Sequence, residues 1–177
     1  CFTEGGHYAA FLLNRFGQFE QAEPGPMVDT SGRVVGTHQG VMRYTVGQRK
    51  GLGLARPEPT YVVGIDAATN TLTVGEESEL FRRSFEARAL NFVSIDPPAE
   101  PFEALVRVRH RGRRLLGRVT PLGQGRARID LELPERAITP GQSAVFYDGD
   151  RLIGGALIEG PLQDEAGGAS ATQGGRE

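Results

Sequence analysis

Apolar positions recur at helical spacing in one stretch only. Tyr8, Phe11, Leu12 and Phe16 share one face of a helix predicted over residues 6–16, with Arg15 in its last turn and Gly17 as the stop. From Met27 onward the pattern changes to short apolar runs separated by turn residues. Residues 27–29 and 33–35 flank Asp29-Thr30-Ser31-Gly32, and residues 60–65 and 71–74 bracket a polar stretch over 66–70, so both pairs read as hairpins. Residues 41–46 alternate weakly, which adds a further β signal, and GQRKGLG over 47–53 has the glycine content of a loop. After a polar junction at 76–84, short strands are predicted over 85–95, 105–111, 115–120, 127–133, 143–147 and 152–158. Five or six strands at this spacing close into a small antiparallel barrel. The segment 163–177 carries no large apolar residue and reads as a disordered tail. The expected architecture is mainly β. It comprises a small α+β domain over 1–84 with one N-terminal helix, then a C-terminal antiparallel β-barrel over 85–162.

Composition narrows the functional classes. The 177 residues include 25 Gly and 11 Pro, which disfavours long helices, and the net charge of −2 leaves the partner open. No stretch approaches the roughly 18 apolar residues of a membrane span, and no secretory signal opens the chain, so a soluble, cytoplasmic protein with no membrane partner is expected. The single cysteine excludes an internal disulfide framework. With three histidines it also makes a zinc site implausible, so no metal ligand is expected.

Charge is distributed unevenly. No acid occurs between Ala104 and Ile129, yet Arg107, Arg109, Arg111, Arg113, Arg114, Arg118, Arg126 and Arg128 all fall there. Arg107, Arg109, Arg111 and Arg113 alternate and would share one face of the predicted strand, and such a row of guanidiniums suits phosphate oxygens. The alternative is a solvated face in an arginine-biased chain. The loop over 47–53 lacks P-loop spacing, but its backbone N–H groups with Arg49 and Lys50 could meet a phosphate; a plain tight turn is the other reading. His7 and His38 read as satisfied polar residues. Cys1 could act as a thiolate sulfur carrier, as an N-terminal nucleophile using its own amine, or as an inert thiol.

Three blocks resemble one family. HQGVMRYTVGQRKGLG over 38–53, RAITPGQSAVFYDGD over 136–150 followed by Gly154-Gly155, and the opening CFTEGGHYAAFL are similar to segments of the tRNA-specific 2-thiouridylases. The resemblance covers about residues 1–160. It implies the C-terminal half of an enzyme that thiolates C2 of the wobble uridine of tRNA. The ATP pyrophosphatase-type domain, which would bind ATP with Mg and carry the first catalytic cysteine, is not in this sequence. Cys1 matches the family's second cysteine, the one that carries the persulfide and later closes a disulfide with the first. Arg109, with His110 in the position of a family tyrosine, and Gln142 match tRNA-contacting residues. The implied partners are tRNA and a sulfur-relay protein or cysteine desulfurase, and the chain alone is expected to be inactive. The sequence departs from the family where Cys-Phe-Ile-Gly-Glu becomes Cys-Phe-Thr-Glu-Gly. A stand-alone RNA-binding barrel and an N-terminal-nucleophile hydrolase are the competing readings.

Overall fold

The computed structural model describes residues 23–162. The predicted helix over 6–16, Cys1, His7 and the segment 163–177 lie outside the described residues. The described chain divides into two compact units, residues 23–81 with 135–138 and residues 82–134 with 139–162.

The first unit is built on a four-stranded sheet ordered β2-β1-β4-β3, from β1 (Gly25–Asp29), β2 (Val34–His38), β3 (Tyr61–Asp66) and β4 (Thr71–Gly75). Both expected hairpins are present, and each turn has an aspartate at its start. Asp29 Oδ1 accepts the backbone N–H of Ser31 at 3.1 Å and of Arg33 at 3.0 Å. Gly32 takes the left-handed conformation that completes the reversal. Asp66 Oδ1 likewise accepts the N–H of Ala68 at 2.9 Å. The hairpins join through a parallel pairing of β1 with β4, which sets Met27 beside Leu72. Met27, Leu72, Val62 and Val74 are then buried on one face with Val41 and Leu52 from the connecting loops.

The weak alternation over 41–46 does not become a strand. Arg43 N–H donates to the Gly40 carbonyl and Tyr44 N–H to the Val41 carbonyl, both at 3.1 Å, and close a 3-10 turn over Val41–Arg43. His38 sets up this turn. It is fully buried, its Nδ1 accepts the Gly40 N–H at 3.0 Å, and its Nε2 pairs with the Asn70 carbonyl at 2.9 Å. Both ring nitrogens are used, with the proton on Nε2, so His38 is a satisfied structural histidine.

The second unit is a closed barrel of six strands ordered β10-β5-β8-β7-β6-β9. These are β5 (Phe81–Phe92), β6 (Phe102–Arg107), β7 (Leu115–Gly123), β8 (Arg126–Arg136), β9 (Ser143–Asp148) and β10 (Arg151–Pro161). Inward positions follow period two: Leu115, Gly117 and Val119 on β7, Ala127, Ile129 and Leu131 on β8, Ala144 and Phe146 on β9. Phe85, Phe146, Ile129 and Ile158 supply the largest buried side chains of this interior, and the alanines leave room for them.

Candidate functional site

The arginine row is not a strand face. β6 ends at Arg107, and Gly112 N–H donates to the Arg109 carbonyl at 2.9 Å, which turns the chain through Arg109, His110 and Arg111. Arg109, Arg111 and Arg113 therefore lie in the β6–β7 connection and do not alternate with Arg107. The physical reason is Gly112, whose lack of a side chain permits the tight reversal that hands the chain to β7.

The turn places three sequence-chosen residues together. A cavity of about 580 Å³ is lined by Arg107, Arg109 and His110 from the end of β6 and its turn, and by Gln142, Ser143 and Tyr147 from the approach to β9. Val108 and Val145 give it an apolar wall, and no carboxylate lines it. Gln142 is set by its backbone: its N–H donates to the Thr139 carbonyl at 3.3 Å and its carbonyl accepts the Ile158 N–H at 2.8 Å. Gly141, at φ 81°, makes the bend that delivers it. The main chain is thus pinned to β10, and Gln142 lines the cavity.

Ser143 and Tyr147 were not singled out by the sequence, and Arg107 was named only as one member of the arginine row. The signal lies in strand register, since β6 pairs with β9 so that Leu105 sits opposite Tyr147 and Arg107 opposite Val145. The Tyr147 ring carries the guanidinium carbon of Arg114 at 4.2 Å and that of Arg107 at 5.5 Å. Arg114 is in turn fixed by the Gly149 carbonyl and the Asp150 carboxylate, each at 2.8 Å.

Arg126 finds its carboxylates far along the chain, whereas Arg128 finds its own two residues on. Arg126 reaches Glu86 at 2.6 Å and Glu159 at 2.9 Å, and Arg128 pairs with Asp130 at 2.9 Å. Asp130 feels opposing influences. Partial burial pushes its carboxyl up, but hydrogen bonds from Arg128 and Ser84 and the charges of Arg128 and Arg118 outweigh burial and hold it below its ordinary value.

The loop over 47–53 is a loop as expected, with Gly47, Gly51 and Gly53 at positive φ. Its first two N–H groups are committed: Gly47 donates to the Val62 carbonyl at 2.8 Å and Gln48 to the Thr45 carbonyl at 3.0 Å. The Gln48 side chain adds a bond from its amide nitrogen to the Lys50 carbonyl at 2.9 Å. The side chains of Arg49 and Lys50 are exposed. Both belong to the first unit, whereas the cavity belongs to the second.

Among the described residues no group of three or more His, Cys, Asp or Glu could hold a metal ion. No described helix is long and apolar enough to cross a membrane. Cys1 lies outside the described residues.

Residues 11–76 match the family described as tRNA methyl transferase PRC-barrel domain, and residues 82–158 match the aminomethyltransferase beta-barrel domain. The chain is 42% identical over 159 residues to the tRNA-specific 2-thiouridylase MnmA of Acetivibrio thermocellus, an alignment covering 90% of this chain and 44% of that protein. The MnmA of Carboxydothermus hydrogenoformans is 45% identical over 159 residues, with 90% of this chain and 43% of that protein covered. That of Chloroflexus aggregans is 47% identical over 161 residues, with coverages of 91% and 44%. The chain belongs to the tRNA-specific 2-thiouridylase family, and it spans under half the length of these relatives, matching their C-terminal portion.

Proposed function

We propose that this chain grips tRNA and carries sulfur within a cytoplasmic tRNA-uridine 2-sulfurtransferase. The observation that carries the reading is the meeting of Arg109, His110 and Gln142 at one acid-free cavity. A guanidinium for phosphate, a flat ring for stacking on an unpaired base and an amide for base or sugar edges make a set suited to RNA.

The chemistry assigned to the chain rests on Cys1. A sulfur-relay protein or cysteine desulfurase would load Cys1 as a persulfide. ATP, with Mg, would activate the C2 oxygen of the wobble uridine by adenylation in a part of the enzyme outside this sequence. The terminal sulfur of the Cys1 persulfide then bonds to C2, and the oxygen departs with AMP. A second cysteine thiolate attacks the Cys1 sulfur, breaking its bond to the transferred atom and leaving a disulfide that a reductant must reopen. The isolated chain, with one thiol, cannot complete that last step.

The test is tRNA titration of this chain at several salt concentrations. The wild-type chain is expected to bind, with affinity falling as salt rises. Arg109→Ala should weaken binding and lower the salt slope by roughly one unit, as the loss of one phosphate contact requires. Gln142→Ala should weaken binding with the slope unchanged, because no charge is lost. Absence of binding, or affinities unchanged in both variants, would remove the RNA-binding role.

A further inference from the structure

The barrel carries a second recess, on the far side of β9 from the cavity. It measures about 340 Å³ and lies over the seam where β10 meets β5. Strand register creates it. Val145 on β9 pairs with Gly155 on β10, and Gly155 pairs with Asn91 on β5. This cross-strand row has a side chain at each end and none in the middle, so the sheet surface dips into a trough. Gly155 has to stay bare, because an added methyl would lie 2.8 Å from the Ala144 carbonyl oxygen. Val93 and Leu152 line the trough and are 59% and 44% exposed, apolar surface left open to water. Among the described residues its lining carries no charge, and its polar side chains are those of Asn91 and Ser143.

The β5 wall of the trough is distorted. Between the pairing of Gly155 with Asn91 and that of Leu157 with Arg88, β5 has one residue more than β10. The extra residue is absorbed at Ala89, whose φ of 52° is a left-handed conformation that alanine rarely adopts. Ala89 itself lines the trough. Bulges re-aim the side chains beside them, and strained backbone gathers at binding sites. Asn91, two residues on, is exposed, and its side chain makes no hydrogen bond among the described residues.

We infer that this trough seats an unpaired nucleobase, with Gly155 beneath the ring and Asn91 hydrogen-bonding to its edge. A base is flat and neutral, with apolar faces and a polar rim. The trough is neutral and apolar-walled, and the Asn91 amide supplies both a donor and an acceptor. A phosphate or a charged peptide would find no counter-charge there. Position favours RNA over a protein segment, because Ser143 and Val145 line both the trough and the cavity. β6 and β10 flank β9, so two strand spacings, about 10 Å, separate them. An RNA strand held at the cavity can therefore lay a neighbouring base across Val145 into the trough.

This inference rests on the tRNA-binding reading and adds a base-contacting position to it; the experiment separates the two. Wild-type chain, Asn91→Ala and Leu152→Ala would be titrated with tRNA, with a short unstructured oligoribonucleotide, and with its abasic counterpart, which keeps every ribose and phosphate. Wild type is expected to bind the abasic chain several-fold more weakly than the base-bearing one, with the same salt slope, since the phosphates are unchanged. Asn91→Ala and Leu152→Ala should each lower affinity for tRNA and for the base-bearing chain several-fold, leave the slope unaltered, and bind the abasic chain as wild type does. Equal losses on both chains would mark the two residues as structural and overturn the assignment. Variants that match wild type on the base-bearing chain would also overturn it, and would leave the trough to a segment of a protein partner. If wild type binds tRNA and Arg109→Ala weakens it while Asn91→Ala and Leu152→Ala change nothing, the base site fails alone. If wild type binds no tRNA, the broader reading fails and the base site with it. Thermal melts verify the fold of each variant, and Leu152→Ala carries the test should Asn91→Ala not fold.

Discussion

The barrel closes where β10 meets β5, and Gly154 stands at that seam opposite Phe92. A methyl group on Gly154 would press well inside contact distance of the Asn91 carbonyl oxygen and lie 3.1 Å from Phe92 Cα. Both neighbours are backbone, so no side chain can swing aside, and the two strands must part. Overpacking of this kind costs about 1–3 kcal/mol. Against it stands the smaller unfolded-state freedom of alanine, worth about 0.4–1 kcal/mol. The net loss for Gly154→Ala is then about 1–2 kcal/mol. For a domain of 60–100 residues, about 4–8 °C of Tm follows each kcal/mol, so the barrel transition should fall by roughly 5–15 °C. Gly160→Ala on the same strand is the control, because nothing lies within 4 Å of the added methyl and its φ is not in the left-handed region. It should leave the Tm unchanged or raise it slightly. Thermal unfolding followed by circular dichroism reads both. Equal shifts in the two variants would refute the steric argument, since the substitutions differ only in what the methyl meets.

The Asp130 carboxyl, held below its ordinary value of 3.8, should stabilise the barrel fully above about pH 4 and lose that contribution as pH falls through its lowered folded-state value. Asp130→Asn should therefore lower stability at neutral pH, with the gap to wild type narrowing in acid; urea unfolding from pH 7 to 2 measures it, and a gap independent of pH would exclude the ionised carboxylate as its source. In the full-length enzyme, Cys1→Ser should abolish thiolation while sparing tRNA binding, because a hydroxyl cannot hold the transferable sulfur. Mass spectrometry after exposure to a cysteine desulfurase and cysteine should find one added sulfur on Cys1 in the wild type and none in the variant; thiolation by Cys1→Ser would end the carrier role.

Local chemistry was the legible part of the fold. The hairpins around Asp29 and Asp66 could be read because one aspartate organises each turn through bonds to the next few N–H groups. The six barrel strands could be read from their period and spacing. The reading failed where two local signals competed. Alternating arginines argued for a strand through Arg113, but the turn closed by Gly112 ended it at Arg107. The weak alternation after His38 gave way to a turn that depends on a buried imidazole bound to Asn70, 32 residues on. At the site, family resemblance singled out Arg109, His110 and Gln142. Arg107 was legible only as one of the arginine row, and its meeting with Tyr147 comes from the pairing of β6 with β9, a non-local register that a linear pattern does not encode. The charge balance was hidden for the same reason: Arg126 finds its acids on β5 and β10.

The circular order of the barrel makes its first strand, β5, a neighbour of its last, β10. A ribosome releases these strands in sequence, so the edges of β5 and β9 stay open until residues 151–161 have left the exit tunnel. Until then the nascent chain displays two unpaired strand edges, the surfaces most prone to pair with another chain. The final residues of β10 therefore set the moment at which the barrel becomes safe from aggregation. A premature stop shortly before Arg151 would remove one strand of six and expose two edges, an outcome that in a cell shows as insoluble protein and clearance by proteases.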